Sequence, residues 1–184
     1  AACNGQHPLT STGAETDAAA LIVQNIALTS FPDREIKVAP LGDSLLCAKQ
    51  LLQQAIDSCS LLGGGKVLVE SGYYRLNGPL HLKSDVNLCL QENAYLQFSG
   101  NPADFLPVVL TRWEGTELYG HSPMIYAYHA NNIAITGKGT IDAQGGLVFA
   151  GWSQREAPDR DRLREMGDKL VPVQERIFGE GTIL

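Results

Sequence analysis

The sequence predicts an all-β fold, a stacked β-solenoid, from three observations on residues 63–145. Short runs of β-prone residues recur there on a rhythm of roughly 20 residues, as in repeat folds that stack similar units. Each run ends at Gly, Asn, Ser or Pro, and no helical pattern separates the runs, which argues against a βαβ sheet. Apolar and polar residues alternate within the runs, so that Val86, Leu88 and Leu90 face the same side.

Two segments precede these runs. Residues 1–14 are rich in Gly, Ser, Thr and Asn and predict a flexible leader. Residues 16–27 predict a short helix, and residues 31–44 predict a connector with one extended stretch at 36–38. The expected apolar side of the short helix consists of Ala19, Leu21, Ile22 and Ile26.

A stronger amphipathic helix is predicted from Ser44 to Leu61. Asp43 is its expected N-cap, and the glycines at 63–65 end it because glycine adopts the left-handed cap conformation at little cost. The first coil of a solenoid otherwise exposes its core and strand edges, so we expect this helix to cover that end. Its predicted buried stripe consists of Leu45, Ala48, Leu52, Ala55, Ile56 and Cys59.

The predicted strands are joined mostly by short turns, which allows them to stack in coils. Such coils present a long side face, which suits a polymeric substrate. The clearest strands are Val67–Val69, Val86–Leu90, Tyr95–Phe98, Ile125–Tyr128, Ile133–Thr136 and Thr140–Asp142.

Residues 151–170 carry charges of both signs at high density. The segment could be a loop or helix over a substrate groove, or a solvated surface excursion. We favour the second interpretation, because mixed charge runs usually face water. Trp152 is the exception and is kept as a candidate binding residue.

Composition and motifs exclude several functions. The net charge is −6 with no basic cluster, which argues against nucleic-acid binding. The apolar runs are far shorter than the roughly 18 residues of a membrane helix. The GGGK stretch at 63–66 lacks the Walker spacing, and no GxSxG motif occurs. The histidines and cysteines show no zinc pattern, so no metal or cofactor is expected.

The four cysteines divide into two groups. Cys47, Cys59 and Cys89 are expected to be buried free thiols. Cys3 follows two alanines, and this AAC sequence resembles the end of a bacterial lipoprotein signal. It predicts lipidation of Cys3 and export as a periplasmic or cell-surface lipoprotein; without lipidation, we expect a secreted protein.

Residues 111–128 hold the richest set of binding groups. Arg112 suits a carboxylate through two parallel hydrogen bonds, and Trp113 suits the face of a sugar ring. Glu114 and Glu117 suit hydroxyl binding or acid–base chemistry. Alternatively, Trp113 belongs to the core, the charged residues belong to turns, and Arg112 merely ties the loop to Glu117. No pair of carboxylates stands out as a glycosidase pair.

The order of several stretches resembles the N-terminal part of glycoside hydrolase family 28, the polygalacturonases, which are right-handed parallel β-helices. The resemblance covers residues 31–184 and is strongest to the bacterial branch, which includes exo-acting enzymes. The matching stretches are FPDREI, LLQQAIDSC, GGGKVLVESGYY, GPLHLKSDVNLCL, ENAYLQFS, PVVLTRWEGTELY, SPMIYAY, NIAITGKGTIDAQG and PVQERIFGEG.

This resemblance implies that residues 15–184 are the N-terminal part of a single parallel β-helix domain. The rest of the β-helix would come from the same chain or a second chain. It also implies inverting hydrolysis of pectic polysaccharide or oligogalacturonide. Arg112, Trp113, Glu114 and Trp152 are the candidate substrate-binding residues.

Two departures from the family pattern bear on activity. The family's catalytic aspartates lie in NTD, DD, GHG and RIK motifs, and none occurs in residues 1–184. We therefore expect no catalytic residue in this fragment and no activity from the chain alone. In the GxxDGxG pattern, Ala143 replaces a glycine, and the tryptophan pair that follows is reduced to Trp152.

Three functions remain open on the sequence. The leading one is a pectin-degrading glycoside hydrolase. The second is a β-helix polysaccharide lyase or epimerase acting on uronates. The third is a non-catalytic carbohydrate-binding or assembly module.

Overall fold

The computed structural model describes residues 13–152 and 154–184, and the chain divides into two compact units at residues 30 and 31. The first unit holds helix α1 (Gly13–Gln24), which begins three residues before the predicted helix. Its expected apolar side is exposed at Leu21, Ile22 and Ile26, because these residues join no apolar cluster among the described residues. Cys3 and most of the predicted leader lie outside the described residues.

The second unit consists mainly of strands in parallel sheets. One sheet has the order β1-β2-β5-β10, a second β3-β6-β11 and a third β4-β9, and β7 and β8 form an antiparallel hairpin. Helix α2 is Lys49–Leu61 and α3 is Ala157–Asp168. Strands β1 to β11 are Glu35–Val38, Gly65–Val69, Gly72–Leu76, Leu80–His81, Val86–Leu90, Ala94–Phe98, Val109–Trp113, Thr116–Gly120, Ile125–Tyr126, Ala134–Gly137 and Thr140–Asp142.

The parallel strands pair in register, which stacks apolar side chains into continuous rows. In the first sheet Ile36 pairs with Val67, and Val67 pairs with Leu88. In the second sheet Tyr74 pairs with Leu96. Val67, Leu88, Tyr74 and Leu96 are fully buried, so the main core lies between these two sheets. The predicted alternation in β5 is confirmed, since its apolar residues are buried and the residues between them are half-buried.

Helix α2 begins five residues later than predicted, and Asp43 is not its N-cap. Cys47 forms a parallel bridge with Arg75, and the Ala48 N–H donates to the Arg75 carbonyl at 2.7 Å. The chain is therefore tied to β3 at Cys47 and Ala48, after a turn at Ser44 and Leu45, and the helix begins only at Lys49. Asp43 instead accepts the N–H of Leu45 at 2.8 Å.

The buried stripe of α2 is confirmed except at its first member. Leu45 precedes the helix and is 74% exposed, because it lies in a turn closed by the Leu46 N–H and the Asp43 carbonyl at 3.2 Å. The helix packs against β1, β2, β4 and β5. The confirmed buried members are Ala48, Leu52, Ala55, Ile56 and Cys59.

Cys47, Cys59 and Cys89 are free thiols as predicted, but the predicted burial is correct only for Cys59. Cys89 is half-buried on the outer side of β5. Cys47 is exposed, because it lies in the extended segment before α2 and accepts the Asn77 N–H on its sulfur at 3.3 Å.

A second, smaller core joins the hairpin to α3. Leu118 of β8, Leu163 of α3 and Phe178 are each at most 1% exposed, and Trp113 packs against them. The interpretation of residues 151–170 as a solvated excursion is therefore wrong for α3. Its charges face outward, but Leu163 anchors it beneath the hairpin.

The described helices include none that is both long enough and apolar enough to cross a membrane.

Candidate functional site

Three predicted site residues, Arg112, Trp113 and Glu114, lie at the tip of the β7–β8 hairpin. Glu114 and Gly115 form its two-residue turn, with φ of 44° and 91°. Positive φ at both central positions is the type I′ geometry that matches the twist of hairpin strands. Gly115 adopts this conformation without a side-chain clash. The turn therefore brings the three side chains together at one end of the hairpin.

Both charged residues at the tip are engaged in exposed ion pairs. Arg112 Nη2 lies 3.0 Å from Glu117 Oε1 across the hairpin. Glu114 Oε2 lies 2.7 Å from Arg164 Nη2, which joins the tip to α3. Exposed pairs of this kind contribute up to about 1 kcal/mol. A ligand carboxylate can therefore replace Glu117 as the partner of Arg112 at small cost.

The Trp113 side chain has a packed ring and, within the described part of the chain, an unpaired N–H. Its ring is half-buried and packs against the second core, as one of the two interpretations of the sequence predicted. Its indole N–H is buried and has no hydrogen-bond partner among the described residues. Leaving a buried donor unsatisfied costs about 1–3 kcal/mol. Because this N–H has almost no contact with solvent, a ligand could pair with it only after neighbouring side chains move.

Arg112, Trp113 and Trp152 line one cavity of about 360 Å³, whose walls are mainly apolar. Glu114 is not among its lining residues. Trp152 enters the cavity from the segment before α3, and its ring meets Phe149 edge-on at 4.7 Å between centroids. The structure therefore places three of the four predicted binding residues around one space and leaves Glu114 at its outer edge.

Sequence reasoning missed several residues of this cavity. They come from segments up to about 80 residues apart, and no local spacing connects them. Only the packing of the hairpin against the chain before and after it brings them together. The missed residues with the largest or most polar side chains are Phe105, His121, Ser122, Met124 and Phe149.

A separate polar cluster surrounds Asp142 at the end of β11. Its carboxylate accepts the Tyr95 hydroxyl at 2.6 Å, the Gln144 N–H at 2.8 Å and the Gln97 amide at 3.3 Å. These hydrogen bonds, that of Tyr95 first, hold the pKa of Asp142 below its usual range. The same contact, with some burial, raises the pKa of the Tyr95 hydroxyl. Asp142 is therefore a stable acceptor and a poor general acid at neutral pH.

The Gly-to-Ala departure at residue 143 is accommodated in this turn. The positive φ of the motif falls on Gln144, at 50°, and not on Ala143. Ala143 is also exposed, so its methyl group faces solvent. The substitution therefore leaves the turn intact.

Within the described ranges 13–152 and 154–184, no group of three or more His, Cys, Asp or Glu side chains is arranged to hold a metal ion.

Comparison with known proteins points to one family. No protein-family model matches the chain. An endo-polygalacturonase from Pectobacterium carotovorum subsp. carotovorum is 26% identical over 137 residues, which is 68% of this chain and 33% of that protein. The crystal structure of a hyperthermoactive exopolygalacturonase from Thermotoga maritima matches with a TM-score of 0.83 and 32% identity. That match covers 92% of this chain and 41% of the Thermotoga chain.

A family 28 exopolygalacturonase from Yersinia enterocolitica is 33% identical over 60% of this chain and 21% of its own length, with a TM-score of 0.49. The chain thus spans well under two thirds of the length of each of these relatives. The endo- and exopolygalacturonase matches confirm the resemblance to glycoside hydrolase family 28 that the sequence motifs indicated.

Proposed function

We propose that this chain forms part of a pectin-degrading glycoside hydrolase that cleaves galacturonate-containing polysaccharide with inversion. The observation that carries the proposal is the match to the Thermotoga exopolygalacturonase over 92% of the chain at a TM-score of 0.83. A likeness this close at 32% identity indicates a shared arrangement of strands and loops as well as shared sequence. Function depends on the site, so the proposal also needs binding groups in suitable positions.

The proposed architecture is a right-handed parallel β-helix in which α2 caps the first coil. Register-matched parallel pairing in three sheets supports the coil. The Gln53 amide supports the cap, because it donates to the His81 carbonyl at 2.9 Å and accepts the His81 N–H at 2.8 Å. The helix therefore satisfies backbone groups that an open strand edge would leave unpaired.

Further coils are proposed to stack on β10 and β11. Ile135 and Ile141 continue the rows of Leu88 and Leu96 but are 46% and 40% exposed, whereas the residues beneath them are fully buried. This open apolar edge suits another coil, supplied by the same chain or by a second chain. We place the catalytic aspartates in those coils, since the family motifs are not present in residues 1–184.

The substrate is proposed to contact the cavity at the hairpin tip. Arg112 pairs with a uronate carboxylate, Trp113 and Trp152 contact sugar rings, and Glu114 accepts hydroxyls at the rim. The exposed Arg112–Glu117 pair and the shared cavity lining of Arg112, Trp113 and Trp152 support this assignment. We further propose that the protein is exported, with Cys3 as the attachment point of a lipid anchor.

Polygalacturonate is the test substrate. The complete protein should release new reducing ends from it, and the purified 184-residue chain should release no more than a buffer control. We propose that residues 1–184 bind substrate and that the catalytic aspartates lie in further coils. This proposal would be refuted if the complete protein showed no turnover. It would also be refuted if residues 1–184 showed turnover that persists through further purification.

A further inference from the structure

The outer face of the β3-β6-β11 sheet carries two adjacent rows of side chains. The strands pair in register, so residues that point outward repeat from strand to strand. One row consists of Tyr73, Tyr95 and Thr140, and the other consists of Arg75, Gln97 and Asp142. The face is therefore aromatic along one line and polar along the next.

Hydrogen bonds between the rows hold these side chains in place. The Tyr73 hydroxyl donates to the Gln97 amide oxygen, and the Tyr95 hydroxyl donates to Asp142. The two tyrosine rings stack with an angle of 11° between their planes and 5.8 Å between centroids. A ligand on this face would meet groups that are already ordered, which lowers the entropic cost of binding.

A groove of about 460 Å³ runs beside the rows, with Tyr73, Arg75 and Gln97 on one side. Ser44, Ser99 and Gln144 add hydroxyl and amide groups to its walls. This combination of one exposed ring with many neutral hydrogen-bonding groups is suited to a sugar, which has apolar ring faces and hydroxyl edges. The groove shares no lining residue with the Trp113 cavity.

Arg75 gives the groove its charge preference. It is exposed, and among the described residues no carboxylate lies within salt-bridge distance of its guanidinium. Asp142 lies two strands away in the same row, about 10 Å by the usual strand spacing, and its carboxylate is already engaged by three donors. The Arg75 end of the groove therefore suits a carboxylate.

We propose that this groove is a uronate-binding site in which Arg75 pairs with a sugar carboxylate and Tyr73 packs against the sugar ring. The ligand class rests on the proposed function, but the site is separate from the hairpin cavity. It would hold a second stretch of the same polymer, so that binding extends along the side of the coils.

The test is calorimetric titration of the 184-residue chain with trigalacturonate and with a neutral galactose trisaccharide. Arg75→Met removes the charge and keeps an apolar stem of similar length. Lys138→Met is the matched control, because Lys138 is an exposed cation without a salt bridge among the described residues. Thermal unfolding of each variant shows whether the fold is intact.

We expect Arg75→Met to weaken trigalacturonate binding by about tenfold or more, the scale of a lost charge-assisted hydrogen bond. The weak binding of the neutral sugar and the melting temperature should stay unchanged, and Lys138→Met should bind like the parent chain. Parent-like trigalacturonate affinity in Arg75→Met, or no binding by the parent chain, would overturn the proposal. Loss of binding in Trp113→Ala alone would overturn this site while leaving the hairpin site in place.

Discussion

Trp113 combines a packed apolar ring with a polar atom that is unpaired in the described part of the chain. Its ring supports the second core, while its N–H is buried without a partner among the described residues. A purely structural position would favour phenylalanine or leucine, which bring no polar atom into the core. The N–H therefore carries a stability cost that phenylalanine at this position would avoid.

Trp113→Phe and Trp113→Ala separate the packing role of this residue from its proposed binding role. Trp113→Phe keeps most of the apolar contact and removes the unsatisfied donor, so unfolding free energy should change by less than about 1.5 kcal/mol. Binding of oligogalacturonate by the complete protein should weaken in both variants, by about 1 kcal/mol or more for Trp113→Ala. Binding and thermal unfolding are measured together.

If both variants bind like the parent protein while Trp113→Ala melts at a much lower temperature, Trp113 is core only. The hairpin tip would then no longer be a candidate site.

Tyr74 makes a pH-dependent contribution to stability. It is fully buried, and its hydroxyl lies 2.8 Å from the Val38 carbonyl oxygen and 2.9 Å from that of Glu70. Burial, with the nearby Glu70 charge, raises the pKa of Tyr74 from 10.0 to about 12. The folded state therefore holds the proton more tightly than the unfolded state. This stabilisation is complete below pH 10 and is lost as the pH rises through 12.

Tyr74→Phe should lower the free energy of unfolding by about 1 kcal/mol at neutral pH, because the hydroxyl leaves carbonyl groups unsatisfied. The deficit relative to the parent should shrink between pH 10 and 12, since the variant has no phenol to ionise. Chemical denaturation of the parent and the variant from pH 10 to 12 measures this difference in unfolding free energy. Tyr128→Phe, at a 55% exposed position, is the control and should follow the parent at every pH. A constant deficit across the range would contradict the assignment.

At the level of elements, the exit from α2 depends on two neighbouring glycines with different surroundings. Gly63 and Gly64 both have φ of 93°. A Cβ on Gly64 would lie 2.5 Å from both the Cβ and the carbonyl oxygen of Asp85, whereas one on Gly63 would meet nothing closer than 4.0 Å. The turn therefore needs a left-handed backbone at both Gly63 and Gly64. Only Gly64 also lies too close to Asp85 to carry a side chain.

The two alanine substitutions should consequently differ. Both should lose about 1–2 kcal/mol from the left-handed conformation. Gly64→Ala should lose roughly 1–3 kcal/mol more, because the strand start at Asp85 has to move. Urea denaturation of the two variants measures the difference. Equal losses would show that α2 and the β5 start are not packed as closely as described.

The sequence predicted the elements that local pattern controls and missed those that tertiary contacts control. The alternation in β5 and the limits of β11 were predicted correctly, because each strand has one apolar side. The start of α2 was misplaced, since the helical pattern continues back to Ser44 but a turn at Ser44 and the Cys47–Arg75 bridge occupy the residues before Lys49. The β7–β8 hairpin was missed, although Glu-Gly between β-prone runs is a turn signal.

The candidate site was predicted in composition but not in geometry. Arg112 and Trp113 stood out by residue type and do line one cavity with Trp152. The pairing of Arg112 with Glu117 was one of the expected alternatives and is present at 3.0 Å. The contact between Phe149 and Trp152 depends on packing that no spacing reveals. Arg75 and Tyr73 were not singled out, because a row across a sheet face exists only after strands have paired.

On the scale of the whole molecule, the two ends of the parallel sheets differ in how they are covered. At one end α2 packs against several strands and satisfies the His81 backbone. At the other end Ile135 and Ile141 are about half exposed. We interpret this as a capped start and an open face that further coils complete, and the proposed catalytic aspartates belong to that part.

The most direct measurement follows polygalacturonate with the complete protein by proton NMR from the first turnovers. We predict new reducing-end sugars whose anomeric configuration is the opposite of that in the cleaved bond. We also predict that no unsaturated uronate forms. Unsaturated uronate ends would indicate a lyase, and an unchanged spectrum with detectable binding would indicate a carbohydrate-binding module. Either result would contradict the proposal that these coils belong to an inverting hydrolase.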